Sequence, residues 1–124
     1  MKVLDGLFYS NDHEWVKVEG NIASVGITDF AQEQLGEIVF VELPAIDDEF
    51  GVDEAIGAIE SVKAASDVLT PISGKIVEVN EDLDDAPESV NSDPYGAWIF
   101  KIELSDKSEL ESLMDAAAYK EFIK

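Results

Sequence analysis

Hydrophobic and polar residues alternate from Trp15 to Val25, with one interruption at Gly20-Asn21. A period of two marks strands with one buried face, and Gly-Asn between two such runs is a favoured two-residue turn. The pattern predicts a β-hairpin pairing residues 15–19 with 22–25. A short helix is predicted next, near 28–35, with Thr28 as its cap and Gly36 as its stop. Towards the C-terminus, Leu110, Leu113, Met114, Ala117 and Phe122 recur at helical spacing behind Asp106 and Glu109, a capping pair. One helix over about 106–122 is expected, its apolar stripe packed on the rest of the domain.

The middle of the chain repeats itself. Gly36-Glu37-Ile38-Val39-Phe40-Val41-Glu42 matches Gly74-Lys75-Ile76-Val77-Glu78-Val79-Asn80, and the same offset pairs Asp47 with Asp85 and Val52 with Val90. Two such β-units imply a sandwich or flattened barrel of quasi-equivalent halves. Turn residues from Asn91 to Gly96 lead into a further strand at 97–102. Residues 54–69, between the units, are ambiguous. Ile56, Ile59, Val62 and Leu69 fit an amphipathic helix capped by Asp53, in which Gly57 costs about 1 kcal/mol. A hairpin with a tight turn at Lys63 fits the same residues, and periodicity leaves both open.

Composition narrows the function. The chain has 124 residues, enough for one domain with a real core, and 46% of them are hydrophobic. Acids outnumber bases 28 to 8, for a formal charge of −20. Such a surface repels phosphate backbones and anionic membranes and favours basic protein faces. Solubility or a salty habitat accounts for the same charge, and the readings are compatible. No cysteine is present, so no disulfide and no thiolate metal site can form. The N-terminus lacks the apolar run of a signal peptide and no stretch reaches the roughly 18 apolar residues of a membrane span. A soluble, intracellular protein is expected.

Catalytic sets are missing. His13 is the single histidine, in Asp12-His13-Glu14-Trp15, where a capping or packing role is expected. Asn80-Glu81-Asp82-Leu83-Asp84-Asp85 fails as a calcium loop, because Asp85 stands where an EF-hand needs Gly and Asn91 where it needs Glu. Gly51, Gly57 and Gly74 are too scattered for a phosphate loop. Trp15 and Trp98 read as core anchors. Of the eight lysines, Lys17 and Lys101 alternate with apolar residues and should point outward, and Lys75 follows a turn glycine. Lys63 differs. It lies among small residues in Glu60-Ser61-Val62-Lys63-Ala64-Ala65-Ser66-Asp67, where an enzyme has access to it. These residues fit both an ordinary solvated charge and a lysine whose chemistry is attached after synthesis.

Six ordered blocks resemble the H-protein family of the glycine cleavage system. They are Asp12-His13-Glu14-Trp15-Val16, Gly26-Ile27-Thr28-Asp29, Ala31-Gln32-Glu33-Gln34-Leu35-Gly36, Val39-Phe40-Val41-Glu42-Leu43-Pro44, Glu60-Ser61-Val62-Lys63-Ala64 and Pro71-Ile72-Ser73-Gly74, joined by Asn91, Pro94-Tyr95-Gly96 and Trp98. The resemblance implies one lipoyl-carrier domain over 1–124, mainly β, of the lipoyl/biotinyl type (a barrel-sandwich hybrid) with a short helix near 28–35 and a C-terminal helix. It resolves residues 54–69 as a hairpin with Lys63 at its tip. It further implies lipoate in amide linkage on Lys63, with Glu60, Ser61, Val62, Ala64 and Ala65 recognised by lipoate-attaching enzymes. Acylation takes the formal charge from −20 to about −21.

By the same resemblance the chain is a carrier with no catalytic residues of its own and no metal. It passes the aminomethyl group of glycine from a decarboxylase (P protein) to an aminomethyltransferase (T protein), and electrons to a dihydrolipoyl dehydrogenase (L protein). Glu14 and Asp67 match acidic positions of a cleft that shelters the loaded arm, whereas Asp12 stands where other members vary. A monomer is expected, in the bacterial cytoplasm, or in the mitochondrial matrix for a processed eukaryotic form. The alternative is an H-like protein that relays lipoate to 2-oxoacid dehydrogenase complexes.

Overall fold

The alternation around Gly20-Asn21 does produce a hairpin. Strands Glu14–Glu19 and Ile22–Ile27 pair in register, Glu19 opposite Ile22, with Gly20 at a φ of 65° in the turn. The computed structural model describes residues 2–124. Among them the strands are β1 (Phe8–Tyr9), β2 (Glu14–Glu19), β3 (Ile22–Ile27), β4 (Ile38–Glu42), β5 (Glu49–Phe50), β6 (Ala55–Ser61), β7 (Ala65–Leu69), β8 (Gly74–Val79) and β9 (Phe100–Leu104). The helices are α1 (Asp29–Leu35), α2 (Asp82–Asp85), α3 (Ser89–Ser92) and α4 (Ala116–Phe122).

One sheet runs β1-β2-β3-β9-β8-β5 and the other β4-β6-β7. They close on a shared core: Val25, Ile76, Phe100 and Ile102 from the larger sheet meet Ile38, Val41, Ile56, Ile59 and Val68 from the smaller. This is the expected mainly β, two-sheet sandwich with short helices. The repeated segments become β4 and β8, one in each sheet. Each bulges at the same place in the repeat, between Ile38 and Phe40 and between Ile76 and Glu78, leaving Val39 and Val77 exposed. A shared irregularity supports two related units more strongly than similar composition does.

Thr28 caps α1 by accepting from the Ala31 amide, and Gly36 ends it at a φ of 82°. Residues 54–69 are the hairpin β6–β7, not a helix. Gly57 shows why: a side chain there would collide with the Glu42 carbonyl of β4. The glycine that merely weakened a helix is what lets two strands approach.

Two expectations need correction. The strand expected at 97–102 begins only at Phe100. The Ala97 amide closes a turn onto Asp93, and the Trp98 carbonyl accepts from Asn80. The helix expected over about 106–122 is two pieces, a 3₁₀ segment at Lys107–Ser112 and α4. Between them Met114 exchanges both backbone hydrogen bonds with Tyr9, and Asp115 caps α4 by accepting from Ala118. Glu109 does not complete a cap; it accepts from the amide and hydroxyl of Ser73. The buried residues of α4 are Ala116 and Tyr119, while Ala117 and Phe122 of the expected stripe are exposed. Ala116 and Tyr119 form a second, smaller core with Tyr9 and Trp15.

Candidate functional site

Lys63 sits at the apex of the β6–β7 hairpin, where sequence alone left a tie. The last strand pair is Glu60 with Ala65. Ser61 closes the turn: its amide donates to the Ala64 carbonyl at 2.7 Å, and its hydroxyl accepts from the amides of Lys63 at 3.3 Å and Ala64 at 3.1 Å. Short hydroxyl side chains hold turns in this way. The Val62 amide donates to the Glu37 carbonyl at 3.0 Å, fastening the apex to the segment before β4. Val62, Lys63, Ala64 and Ala65 are exposed. Among the described residues Lys63 has no ion pair, whereas Lys17, Lys75, Lys101 and Lys124 each have one.

The stem of Lys63 lies over Gly36, its Cε 3.3 Å from where a Cβ would stand. That loop is pinned from behind by Asn91. The Asn91 amide group donates to the Gly36 carbonyl at 2.8 Å and to Gln32 at 2.9 Å, and its oxygen accepts from the Ile38 amide at 2.8 Å. The surface beneath the lysine is therefore fixed by three bonds from one side chain.

A groove of about 330 Å³ opens beside this loop. Phe30, Ala31, Gln34 and Leu35 of α1 form one wall, Ile59, Ser66, Asp67 and Val68 of the hairpin the other, and Asp12, His13, Glu14 and Ile27 the end. Leu35, which lines the groove, is next in the chain to Gly36, on which the lysine stem lies. Glu14, from β2, and Asp67, from β7, both line this groove. Asp12 lines the groove as well, which the sequence left in doubt.

The two acids differ in setting. Asp67 is exposed, while Glu14 is only 3% exposed. Burial pushes the Glu14 carboxyl up to about 7 from an ordinary value of 4.5, despite a 2.6 Å hydrogen bond donated by the Ser10 hydroxyl. Loss of hydration outweighs the donor. Near neutral pH the Glu14 carboxyl is therefore only part ionised.

His13 packs, as expected, but at a backbone φ of 68° and with a specific partner. Its Nδ1 lies 2.9 Å from the Tyr119 hydroxyl, which also bonds Thr28 at 2.7 Å, and its ring packs on Phe30 and Phe122. Burial lowers its proton affinity. Missed from sequence were Phe30, Gln34 and Leu35 as a groove wall. An apolar-periodicity reading of 28–35, beyond its cap and stop, would have marked Phe30 and Leu35 as apolar residues with no assigned partner. Among the described residues no cluster of three or more acids and histidines is placed to hold a metal ion.

Comparison with known proteins converges on one family. The glycine cleavage H-protein family model matches residues 7–124. The glycine cleavage system H protein of Alkaliphilus oremlandii is 61% identical over 122 residues, covering 98% of this chain and 96% of that one. That of Coprothermobacter proteolyticus is 62% identical over 125 residues, covering 99% and 98%. The crystal structure of a glycine cleavage system H protein from Mycobacterium marinum superposes with a TM-score of 0.86 at 34% identity, over 96% of this chain and 97% of that one. The chain belongs to the glycine cleavage H-protein family, the lipoylated, non-catalytic carriers of the glycine cleavage system.

Proposed function

We propose that Lys63 is the covalent attachment point for lipoate, and that the groove ending at Glu14 and Asp67 shelters the load between enzymes. The observation that carries this is an exposed lysine at the apex of a pinned hairpin, without an ion pair among the described residues, its stem over Gly36 and next to a groove lined by Glu14 and Asp67. The residues fit the group: the amine faces solvent for acylation, and Phe30, Leu35 and Ile59 give an apolar chain a wall to lie on. When bound, lipoate supplies a dithiolane that accepts electrons and the aminomethyl carbon fragment of glycine.

The protein's own residues do the rest. Ser61 and Val62 hold the apex still, Asn91 holds the loop under it, and Glu60, Ala64 and Ala65 leave an enzyme room to approach. Glu14, only part ionised in the empty groove near neutral pH, ionises fully opposite a cationic amine and gives it a counter-charge out of bulk water. Asp67 adds a second carboxylate at the rim.

In this reading residues 1–124 act as one carrier unit in the bacterial cytoplasm. It visits the P, T and L proteins and is loaded by a lipoate-attaching enzyme. Among the described residues no helix is long and apolar enough to cross a membrane. Intact-mass measurement on protein from lipoate-supplied cells tests the attachment. Wild type gains the mass of one lipoyl amide and Lys63→Ala gains none; modification that persists in the variant would overturn the assignment. Glycine-dependent carbon dioxide exchange with a P protein then separates carriage from lipoate relay.

A further inference from the structure

The outer face of the three-stranded sheet is bare. Cross-strand partners share a face, so Phe40, Glu60 and Ala65 form one row across it, and Glu42 and Ala58 the next, reaching Asp67 on the edge strand that also borders the groove. Phe40 is 48% exposed, its neighbour Val39 in the bulge 51%, and Val62 at the hairpin apex 65%. Val62 is tied back to Glu37, which places it by the start of β4. Around these apolar groups stand Glu37, Glu42 and Glu60, all exposed and, among the described residues, without an ion pair. Scattered exposed apolar residues are ordinary, but three grouped within an acidic rim form the anchor-and-rim pattern of a binding face.

We propose that this face docks the enzyme that acylates Lys63, which would offer an apolar socket to Phe40 and a basic rim to Glu37, Glu42 and Glu60. The proposal rests on Lys63 being the attachment point. Reach selects this occupant over the others. Phe40 is level with Glu60, three residues or about 10 Å along the strand from Lys63. The lysine stem extends only about 6 Å. An enzyme that forms the amide must bring its acyl carbon to Nζ itself, and so must cover the hairpin's flank. Enzymes that act on the far end of a completed arm can stand off by the arm's length. In the step served, neutral Nζ attacks an acyl adenylate, the N–C bond forms, AMP leaves, and one proton leaves the nitrogen. The charge of −20 favours a basic partner during encounter.

The test uses the full-length unmodified chain, a lipoate–protein ligase, lipoate and ATP, with acylation followed by intact mass. Phe40→Ser is expected to raise KM about tenfold with kcat within about twofold, as for loss of a docking anchor. Glu37→Gln with Glu42→Gln is expected to raise KM about threefold at low salt and to flatten its salt dependence. Thermal melts confirm folding, and the polar double variant does not depend on the apolar one. Wild-type KM in both variants, while Lys63→Ala is not acylated, would overturn the docking face and leave the attachment site standing. Acylation of Lys63→Ala would overturn both. Normal acylation with impaired glycine-dependent exchange by the lipoylated Phe40→Ser protein would assign the face to the glycine-cleavage enzymes and overturn the proposal. A dimer of the wild type that Phe40→Ser dissolves would do the same in favour of a second copy.

Discussion

The hairpin apex and the buried acid of the groove treat charge in opposite ways. Lys63 is left in water, without an ion pair among the described residues, on a turn held by short-range bonds from Ser61 and one tie to Glu37. Glu14 is taken out of water and held by Ser10 in a wall built from β2, β3, α1 and β7. On the proposed function, a group that several enzymes must reach is kept exposed, so its loss leaves the core intact. A group that must answer a cation at close range is kept dry, because an exposed carboxylate is already screened.

The sharpest break in that comparison is Lys63→Ala. Modification should fall from complete to none, while chemical denaturation shows a stability change within about 0.5 kcal/mol, typical of an exposed site. Glu14→Gln should do the reverse, sparing modification and changing stability. The folded state holds the Glu14 proton more tightly than the unfolded chain does. Stability from this group is therefore present at low pH and lost as pH rises from about 4.5 through about 7. The amide variant should gain about 2–3 kcal/mol over wild type at pH 8 and lose that advantage by pH 4.5; parallel pH profiles would refute the dry carboxyl. Asn91→Ala removes three bonds behind the loop and should cost about 2 kcal/mol in urea titrations, with faster hydrogen exchange at Ile38. Ser61→Ala should be smallest, about 0.5–1 kcal/mol, and confined by hydrogen exchange to the amides of Lys63 and Ala64.

These differences also explain what could be read from the sequence. The Gly20-Asn21 hairpin, the Thr28 cap and the Gly36 stop depend on neighbouring residues, so local chemistry announced them. The β6–β7 hairpin did not announce itself, because its deciding contact is between Gly57 and a carbonyl on β4; only family resemblance broke the tie. The C-terminal helix failed for the same reason. Its spacing was genuine, but pairing of Met114 with Tyr9 and a second cap at Asp115 outweigh continuous helix. Glu14 and Asp67 were legible only by resemblance, since nothing local brings residues so distant in sequence to one groove. The apolar wall at Phe30 and Leu35 went unread, because an amphipathic helix looks the same whether it covers a core or a groove.

The bulge in β4 has a consequence for solubility. β4 and β7 are the free edges of the smaller sheet, and an open edge is a template for further strands. The bulge at Val39 breaks the regular spacing of backbone donors and acceptors along one edge, and Ser66 and Asp67 put polar groups along the other. The larger sheet ends in strands of two residues, β1 and β5. The molecule can thus display a naked hairpin and an uncovered aromatic ring without inviting other copies to extend its sheets into a fibril.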